Sequence, residues 1–266
     1  MSATLTLWVE GIGLWAPGLP SWPALRALCA GGAPSECAAR PAAAVLPPGE
    51  RRRAPESVLL AVEAAGQAVA MSAREARELP CVFSSAHGDL AIMDYMCATL
   101  AAAPAELSPT KFHNSVHNAA AGYWTIASGC MAPSTALAAH AHSFGAGLLE
   151  AATQACAERR AVLYVGYDAV SQGPLAEMAP SSQPFAAALV LAPAPGAAAC
   201  ARLTLGIGAE AAPAAPRHPA LAALAAANPS AGGLALLEAL AADAPAALAL
   251  AAGPHFHLTV HLEPSR

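Results

Sequence analysis

Charged residues are scarce in this sequence. Only 12% of its 266 residues are Asp, Glu, Lys or Arg, whereas an average domain has roughly 25%. The formal net charge of −5 argues against a nucleic-acid-binding protein, because such proteins carry basic patches. Since 56% of the residues are hydrophobic, we expect an apolar surface of the kind that contacts a partner protein. A general bias of the composition toward Ala, Pro and Gly is the alternative explanation of this apolar composition.

Long apolar runs and paired cysteine motifs are also missing. No run of about 18 apolar residues is free of Pro, Gly and charge, so no membrane span is expected. The first residues lack the basic start of a secretory signal. The seven cysteines are odd in number and scattered, without a C-x-x-C motif. This usage predicts reduced thiols and a cytoplasmic protein.

Two short motifs are better explained without a ligand. Residues 11–16, G-I-G-L-W-A, have the spacing of a dinucleotide-binding fingerprint. However, Pro17, Pro20 and Pro23 occupy the place where its phosphate-binding helix would begin. The basic triplet at 51–53 could contact an acidic partner, but a solvated loop is the preferred interpretation.

The histidines do not form a complete metal motif. His113 and His117 have the spacing of two zinc ligands on a helix, but the glutamate of H-E-x-x-H is missing between them. His255, His257 and His261 alternate on one face of a predicted strand, where a metal site and a solvated edge strand are both possible. We prefer the solvated strand and expect neither a metal nor a cofactor.

Predicted strands and helices alternate along the chain. Strand patterns occur at 5–9, 80–84, 134–139, 161–166, 185–191, 203–207 and 256–262, and helical patterns at 23–30, 57–73, 90–103, 118–128, 143–152 and 233–242. This order predicts an α/β fold with a mixed, mainly buried sheet and helices on its faces. The strands at 185–191 and 203–207 are expected to form a hairpin with a long connection. Because prolines punctuate alanine runs from residue 211 onward, we expect a domain at 1–210 and a C-terminal extension at 211–266 with one helix and a terminal strand.

The junction between the strand at 134–139 and the next helix reads A-H-A-H-S. Ser143 is expected to cap that helix through its hydroxyl. Many enzymes place a nucleophile at such a helix N-terminus, because the helix dipole lowers the pKa of a thiol there. This junction contains no cysteine. His140 and His142 could line a tunnel or contact a partner, and a solvated polar turn is the alternative.

Several segments together resemble the N-terminal half of β-ketoacyl synthases. They are S-S-A-H-G at 84–88, S-P-T-K-F-H-N-S-V-H-N-A-A-A-G at 108–122, the stretch at 139–151, and Asp168 at the end of a strand. The likeness covers about residues 5–208 and is greatest to the short, chain-length-factor-like proteins of aryl polyene systems. The resemblance implies a thiolase-like half-fold. For Asp168 we expect a structural role as a hydrogen-bonding residue.

This chain also differs from the family that it resembles. A ketosynthase carries its acyl chain as a thioester on a cysteine at the strand–helix junction, assisted by two histidines from the C-terminal half of the fold. Here the nucleophile position falls at about Ala141, between His140 and His142, and no H-G-T or G-F-G-G motif follows. Cys130 and Cys156, the nearest thiols, are not expected to replace it.

A dimer is implied as well, because the family pairs the strand before the junction across a two-fold axis. On this chain the interface residues would be Phe112, His113, Asn114, Val116, Asn118, Tyr123, Ser134, Thr135 and Leu137. The expected function is a non-catalytic, chain-length-factor-like subunit that pairs with a full-length ketosynthase and serves an acyl chain bound to an acyl carrier protein. Two alternatives stay open: a reduced thiolase-like acyltransferase acting alone, and a homodimeric scaffold or carrier-protein docking module.

Overall fold

A computed structural model of the protein describes residues 4–208 and 212–265. In these residues the strands are β1 (Thr4–Trp15), β2 (Cys81–Ser84), β3 (Ser134–Leu137), β4 (Val162–Asp168), β5 (Phe185–Ala192), β6 (Ala201–Gly208), β7 (Ala246–Gly253) and β8 (Phe256–Pro264). The helices are α1 (Trp22–Cys29), α2 (Pro48–Arg53), α3 (Glu56–Ser72), α4 (Leu90–Ala102), α5 (Pro109–His113), α6 (Ala119–Ser128), α7 (Ser143–Glu158), α8 (Pro219–Ala227) and α9 (Leu234–Ala241). Within this part of the chain, no helix combines the length and the apolar character that crossing a bilayer requires.

The eight strands form one mixed sheet in the order β3-β2-β4-β5-β1-β6-β8-β7. β2 is parallel to both β3 and β4, and the remaining neighbours are antiparallel. The prediction of a mixed, mainly buried sheet is confirmed, since every residue of β4 and β5 is buried. The predicted hairpin between β5 and β6 is wrong, because β1 lies between these two strands.

β1 separates β5 from β6 because it is long enough to pair with both. Its first half pairs with β6 and its second half with β5, and the register shifts between Val9 and Gly11. The residue at this bulge, Glu10, is buried and forms an ion pair with Arg74, which follows α3. Bulges bend a strand and increase its twist, so the sheet changes direction here.

The glycines of the G-I-G motif allow close packing between a helix and a strand. A Cβ atom at Gly11 would overlap the carbonyl oxygen of Ala68, and one at Gly13 would overlap that of Ala64. Both alanines belong to α3, which therefore lies directly on the backbone of β1. Small side chains on both elements make this approach possible, and it accounts for the motif without a nucleotide.

The C-terminal segment continues the same sheet. β8 pairs with β6 and β7 pairs with β8, and α7 packs against both β4 and β7. Because four strands separate β4 from β7, the sheet must curl around α7 to reach both of its sides. Sequence patterns missed β7, whose alanine-rich sequence has no β-branched residue, and also α8. The division at residue 210 stays a prediction.

Candidate functional site at the strand–helix junction

The junction between β3 and α7 is held by the hydroxyl group of Ser143. This hydroxyl accepts a hydrogen bond from the backbone N–H of Ala139 (2.9 Å) and donates one to the carbonyl of His140 (2.7 Å). The prediction that Ser143 caps α7 is wrong, because Ser143 is already helical and His142 occupies the N-cap position without a capping bond. The two bonds of Ser143 close a tight turn in which His140 adopts a φ of 52°. Such left-handed backbone is unfavourable for a non-glycine residue, by roughly 1–2 kcal/mol.

His87 and His140 face each other across this turn. Their ring centroids are 4.9 Å apart and the rings meet edge to face. His87 comes from the loop that follows β2. Its pKa is lowered by burial first, and further by the neighbouring imidazoles of His140 and His117. The lowered pKa favours the neutral form of His87, whose ring can both donate and accept a hydrogen bond.

Asp168, the last residue of β4, anchors the loop that carries His87. Its buried carboxylate accepts hydrogen bonds from Ser85 Oγ (2.7 Å), from the backbone N–H of Ala86 (3.0 Å) and from Ser230 Oγ (2.6 Å). Burial raises the pKa of Asp168 to about 6, although these hydrogen bonds act in the opposite direction. The structural role expected for Asp168 is confirmed.

Asn228 is a second anchor that sequence analysis missed. Its side chain is 2% exposed. Nδ2 donates to the carbonyls of Asp168 and Gln183, both at 2.8 Å, and Oδ1 accepts from the N–H of Ser230 at 2.9 Å. The only local signal was the sequence N-P-S before G-G, which is typical of a turn stabilised by an asparagine side chain. The C-terminal segment therefore packs against the site and does not extend away from it.

A cavity of about 290 Å³ lies beside the junction. It is lined by His87, His140, Ala141, Ala179, Pro180, Ala225, Ala226, Asn228, Pro229 and Gly232. Ala141, the position at which the family resemblance placed the nucleophile, is part of this lining. None of these lining residues carries a thiol or a hydroxyl. The two imidazoles are the ionisable side chains of the lining. The cavity can bind a molecule through hydrogen bonds from imidazole, but its walls offer no thiol or hydroxyl nucleophile.

Neither nearby cysteine belongs to this cavity. Cys130 is buried, and its thiol donates to the carbonyl of Leu79 at 3.3 Å. Cys156 lies on α7, where burial raises the pKa of its thiol. A raised pKa lowers the fraction of reactive thiolate.

His113 and His117, the pair with the spacing of zinc ligands, contact different neighbours. His117 donates from Nε2 to the carbonyl of Ser85 at 3.1 Å, whereas the ring of His113 packs edge to face against Tyr123. His257 and His261 lie on β8, and His255 lies in the turn before it. Across residues 4–208 and 212–265, no group of three or more His, Cys, Asp or Glu side chains is placed to hold a metal ion.

Four of the nine predicted interface residues, His113, Val116, Asn118 and Tyr123, line one groove, and two of the nine are strongly exposed apolar residues. Their fractional exposure is 60% for Phe112 and 53% for Val116. The groove has a volume of about 350 Å³, is bordered by α2 and α6, and is lined by Leu46, Pro47, Glu50, His113, Val116, Asn118, Ala119, Gly122, Tyr123, Ile126 and Ala127. We call it the α2–α6 groove. Asn114 is an exception, because it is only 3% exposed, so its side chain is not available to a partner.

β3, which carries the other predicted interface residues, is an edge strand. It pairs with β2 on one side only. Ser134 is exposed, and Thr135 and Leu137 are partly exposed. α6 packs against β3, so the α2–α6 groove and the free edge of β3 lie on neighbouring elements.

Comparison with known proteins agrees with this architecture. The family described as "Beta-ketoacyl synthase, N-terminal domain" matches residues 25–256. Among curated proteins, none matches the sequence.

Three solved structures share the fold over nearly the whole chain. The complex of the ketosynthase ApeO with its chain length factor ApeC from Xenorhabdus doucetiae matches with a TM-score of 0.70 and 23% identity, covering 97% of this chain and 99% of that one. The ishigamide ketosynthase/chain length factor matches with a TM-score of 0.69 and 15% identity, covering 98% and 100%. The AntDE:AntF complex, a type II polyketide synthase acyl carrier protein with its ketosynthase, matches with a TM-score of 0.72 and 13% identity, covering 99% and 100%. These matches confirm the predicted thiolase-like fold.

Proposed function

The chain belongs to the β-ketoacyl synthase N-terminal domain family, and on that premise we propose that it is a non-catalytic, chain-length-factor-like subunit of a β-ketoacyl–acyl carrier protein synthase. The process it would serve is aryl polyene, polyketide or fatty acid biosynthesis. The observation that supports this most strongly is a cavity without a thiol in its lining, which includes Ala141, the position that the family resemblance assigns to the nucleophile. Structures similar to this chain are ketosynthases in complex with a chain length factor or an acyl carrier protein.

Chemistry supports a partner role over catalysis by this chain alone. Condensation needs a thiolate that takes the acyl group from the carrier thioester, and donors that stabilise the developing oxyanion. The cavity supplies the imidazoles of His87 and His140 as donors, but Ala141 cannot accept an acyl group. A full-length ketosynthase would supply the cysteine, while this chain would complete the walls around the growing chain.

The exposed apolar face provides a surface for that partner. Phe112, Val116 and Ile126 are 60%, 53% and 81% exposed, a costly arrangement for a monomer. The free edge of β3 presents unpaired backbone groups, and pairing with the edge strand of a partner would satisfy them. Together with the α2–α6 groove, these elements form a surface suited to a stable heterodimer.

We also propose that the heterodimer acts in the cytoplasm. All seven cysteines are free, as expected for a protein kept in a reducing compartment.

Co-expression with a full-length β-ketoacyl synthase tests the proposal. Ile126→Glu should lower the amount of co-purified partner by roughly tenfold or more, because a carboxylate would be buried without a counter-charge. Met178→Glu is the matched control, since Met178 is 77% exposed and does not line the α2–α6 groove. A one-to-one complex that tolerates Ile126→Glu as well as Met178→Glu would refute the proposed interface. A homodimer that never binds a ketosynthase would favour the scaffold.

A further inference from the structure

We propose that a cavity between α1 and α9 is a binding site for an organic monocarboxylate that has an apolar body. The cavity has a volume of about 680 Å³, and its lining combines Arg26, Arg217 and Glu238 with Trp22, Pro23, Cys29 and four alanines. None of these residues lines the cavity beside Ala141 or the α2–α6 groove. Binding here therefore does not depend on the proposed pairing with a ketosynthase.

Two arginines bring positive charge to this cavity. Arg26 lies in the last turn of α1, and Arg217 lies shortly before α8. Both residues are exposed, and within residues 4–208 and 212–265 neither guanidinium lies within 4.0 Å of a carboxylate oxygen. A guanidinium presents its N–H donors in a planar fork that matches the two oxygens of a carboxylate. The arginines therefore remain available to an anionic ligand.

Glu238 binds backbone groups and does not pair with either arginine side chain. Its Oε2 accepts a hydrogen bond from the N–H of Arg217 (2.6 Å), and its Oε1 accepts one from the N–H of His218 (2.7 Å). Burial, and further the carboxylate of Glu238, raises the pKa of Cys29, which favours its neutral thiol form. Two guanidinium groups and one carboxylate leave the lining with one net positive charge, which favours a ligand with a single negative charge.

The rest of the lining is apolar and selects the body of the ligand. Trp22 is 9% exposed, so a small part of its side chain is open to the cavity, and the alanines Ala27, Ala30, Ala241 and Ala242 extend the apolar surface beside it. An apolar body gains free energy when these surfaces remove it from water. Small-molecule sites have volumes of roughly 300–1,000 Å³, so this cavity is large enough for a bicyclic aromatic ring that carries a carboxylate.

Two features oppose an anion here and make both arginines necessary. Ala30 and Ala242, the C-cap residues of α1 and α9, line the cavity, and the C-terminus of a helix carries a partial negative charge. Asp243 lines a neighbouring cavity together with Arg26, more than 4.0 Å from its guanidinium. One guanidinium alone would be offset by Glu238 and by these groups, so we expect the loss of either arginine to remove most of the binding.

Calorimetric titration of the full chain at pH 7 and low salt tests this proposal with three probes. 2-Naphthoate has the carboxylate and the apolar body, 2-naphthamide keeps the same body without the charge, and acetate keeps the charge without the body. We expect 2-naphthoate to bind roughly tenfold or more tightly than either of the other probes. Arg26→Gln and Arg217→Gln should each weaken 2-naphthoate binding roughly tenfold or more. Both variants should leave 2-naphthamide binding nearly unchanged, because the neutral amide does not use the guanidinium charge.

Arg77→Gln is the matched control, because Arg77 is also exposed but does not line this cavity. This variant should bind 2-naphthoate as the unmodified protein does, and a loss equal to that in Arg26→Gln would overturn the proposal. So would equal binding of 2-naphthoate and either other probe, unchanged 2-naphthoate binding in Arg26→Gln or Arg217→Gln, or no binding of 2-naphthoate at all. Both cavity variants should still co-purify with a ketosynthase, so a failure here is distinct from a failure of the proposed subunit role.

Discussion

At the scale of single residues, buried polar side chains determine where the loops of the site lie. Asp168 joins the loop after β2 to the segment before α9, and Asn228 joins that segment to the connection between β4 and β5. The role of Asp168 could be predicted because it ends a strand. That of Asn228 could not, because the residues it binds lie 45 and 60 positions away along the chain.

The pH dependence of stability tests the environment of Asp168. Its pKa is raised from 3.8 to about 6, so the folded state binds the proton more tightly than the unfolded chain does. The contribution of this group to stability is therefore present below pH 4 and lost as the pH rises to about 6. The free energy of unfolding of the unmodified protein, minus that of Asp168→Asn, should therefore fall by about 2 kcal/mol between pH 4 and pH 7.

Urea unfolding of both proteins across this range provides the measurement. Other titrating groups are common to the two proteins, so they cancel in the difference. A difference that does not change with pH would show that the carboxyl of Asp168 is not shifted by burial.

The ion pair of Glu10 with Arg74 tests the bulge in β1. Glu10 has a side-chain exposure of 2%, against 39% for Arg74. Arg74→Ala would leave a buried carboxylate without its partner and should cost about 3–5 kcal/mol of unfolding free energy. Arg202→Ala is the control, because Arg202 and Glu263 form an ion pair with 44% and 58% exposure and should contribute about 1 kcal/mol or less. Similar losses in the two variants, measured by urea unfolding, would contradict this account.

At the scale of elements, the position of α7 explains the architecture of the site. α7 was predicted to begin near residue 143 and does so, because its apolar residues recur at helical spacing. Its packing against β7 could not be predicted, since the alanine-rich sequence of β7 has no pattern that distinguishes a strand from a helix. Because of the same ambiguity, α8 was not predicted either. We therefore expected only one helix and one strand in the C-terminal segment.

The contact between α7 and β7 depends on a glycine. A Cβ at Gly145 would overlap the carbonyl oxygen of Ala251, so Gly145→Ala should separate the two elements and destabilise the protein by about 1–3 kcal/mol. Gly122→Ala is the control within α6, where a Cβ meets no atom within 4 Å. That change should stabilise the protein by about 1 kcal/mol, the difference in helix propensity. If urea unfolding gave both changes the same sign, the close packing of α7 on β7 would be disproved.

At the scale of the whole molecule, α7 packs against both β4 and β7 of one sheet, and exposed apolar side chains border the α2–α6 groove. The α/β class and the mixed sheet could be predicted from the alternation of strand and helix patterns. The strand order could not, because it depends on β1 pairing with two strands that are distant in sequence. The scarcity of charge has a structural counterpart in the α2–α6 groove and the exposed side chains around it, which we assign to a ketosynthase partner.

The central claim is that this chain assists an acyl transfer that occurs on its partner. The most direct test is native mass spectrometry of the chain co-expressed with a full-length β-ketoacyl synthase, after incubation with an acyl-loaded acyl carrier protein. The account predicts a one-to-one complex in which the mass of the acyl group is added to the ketosynthase alone. An acyl adduct on this chain would contradict it, and His140 and His142 would then be the first residues to examine.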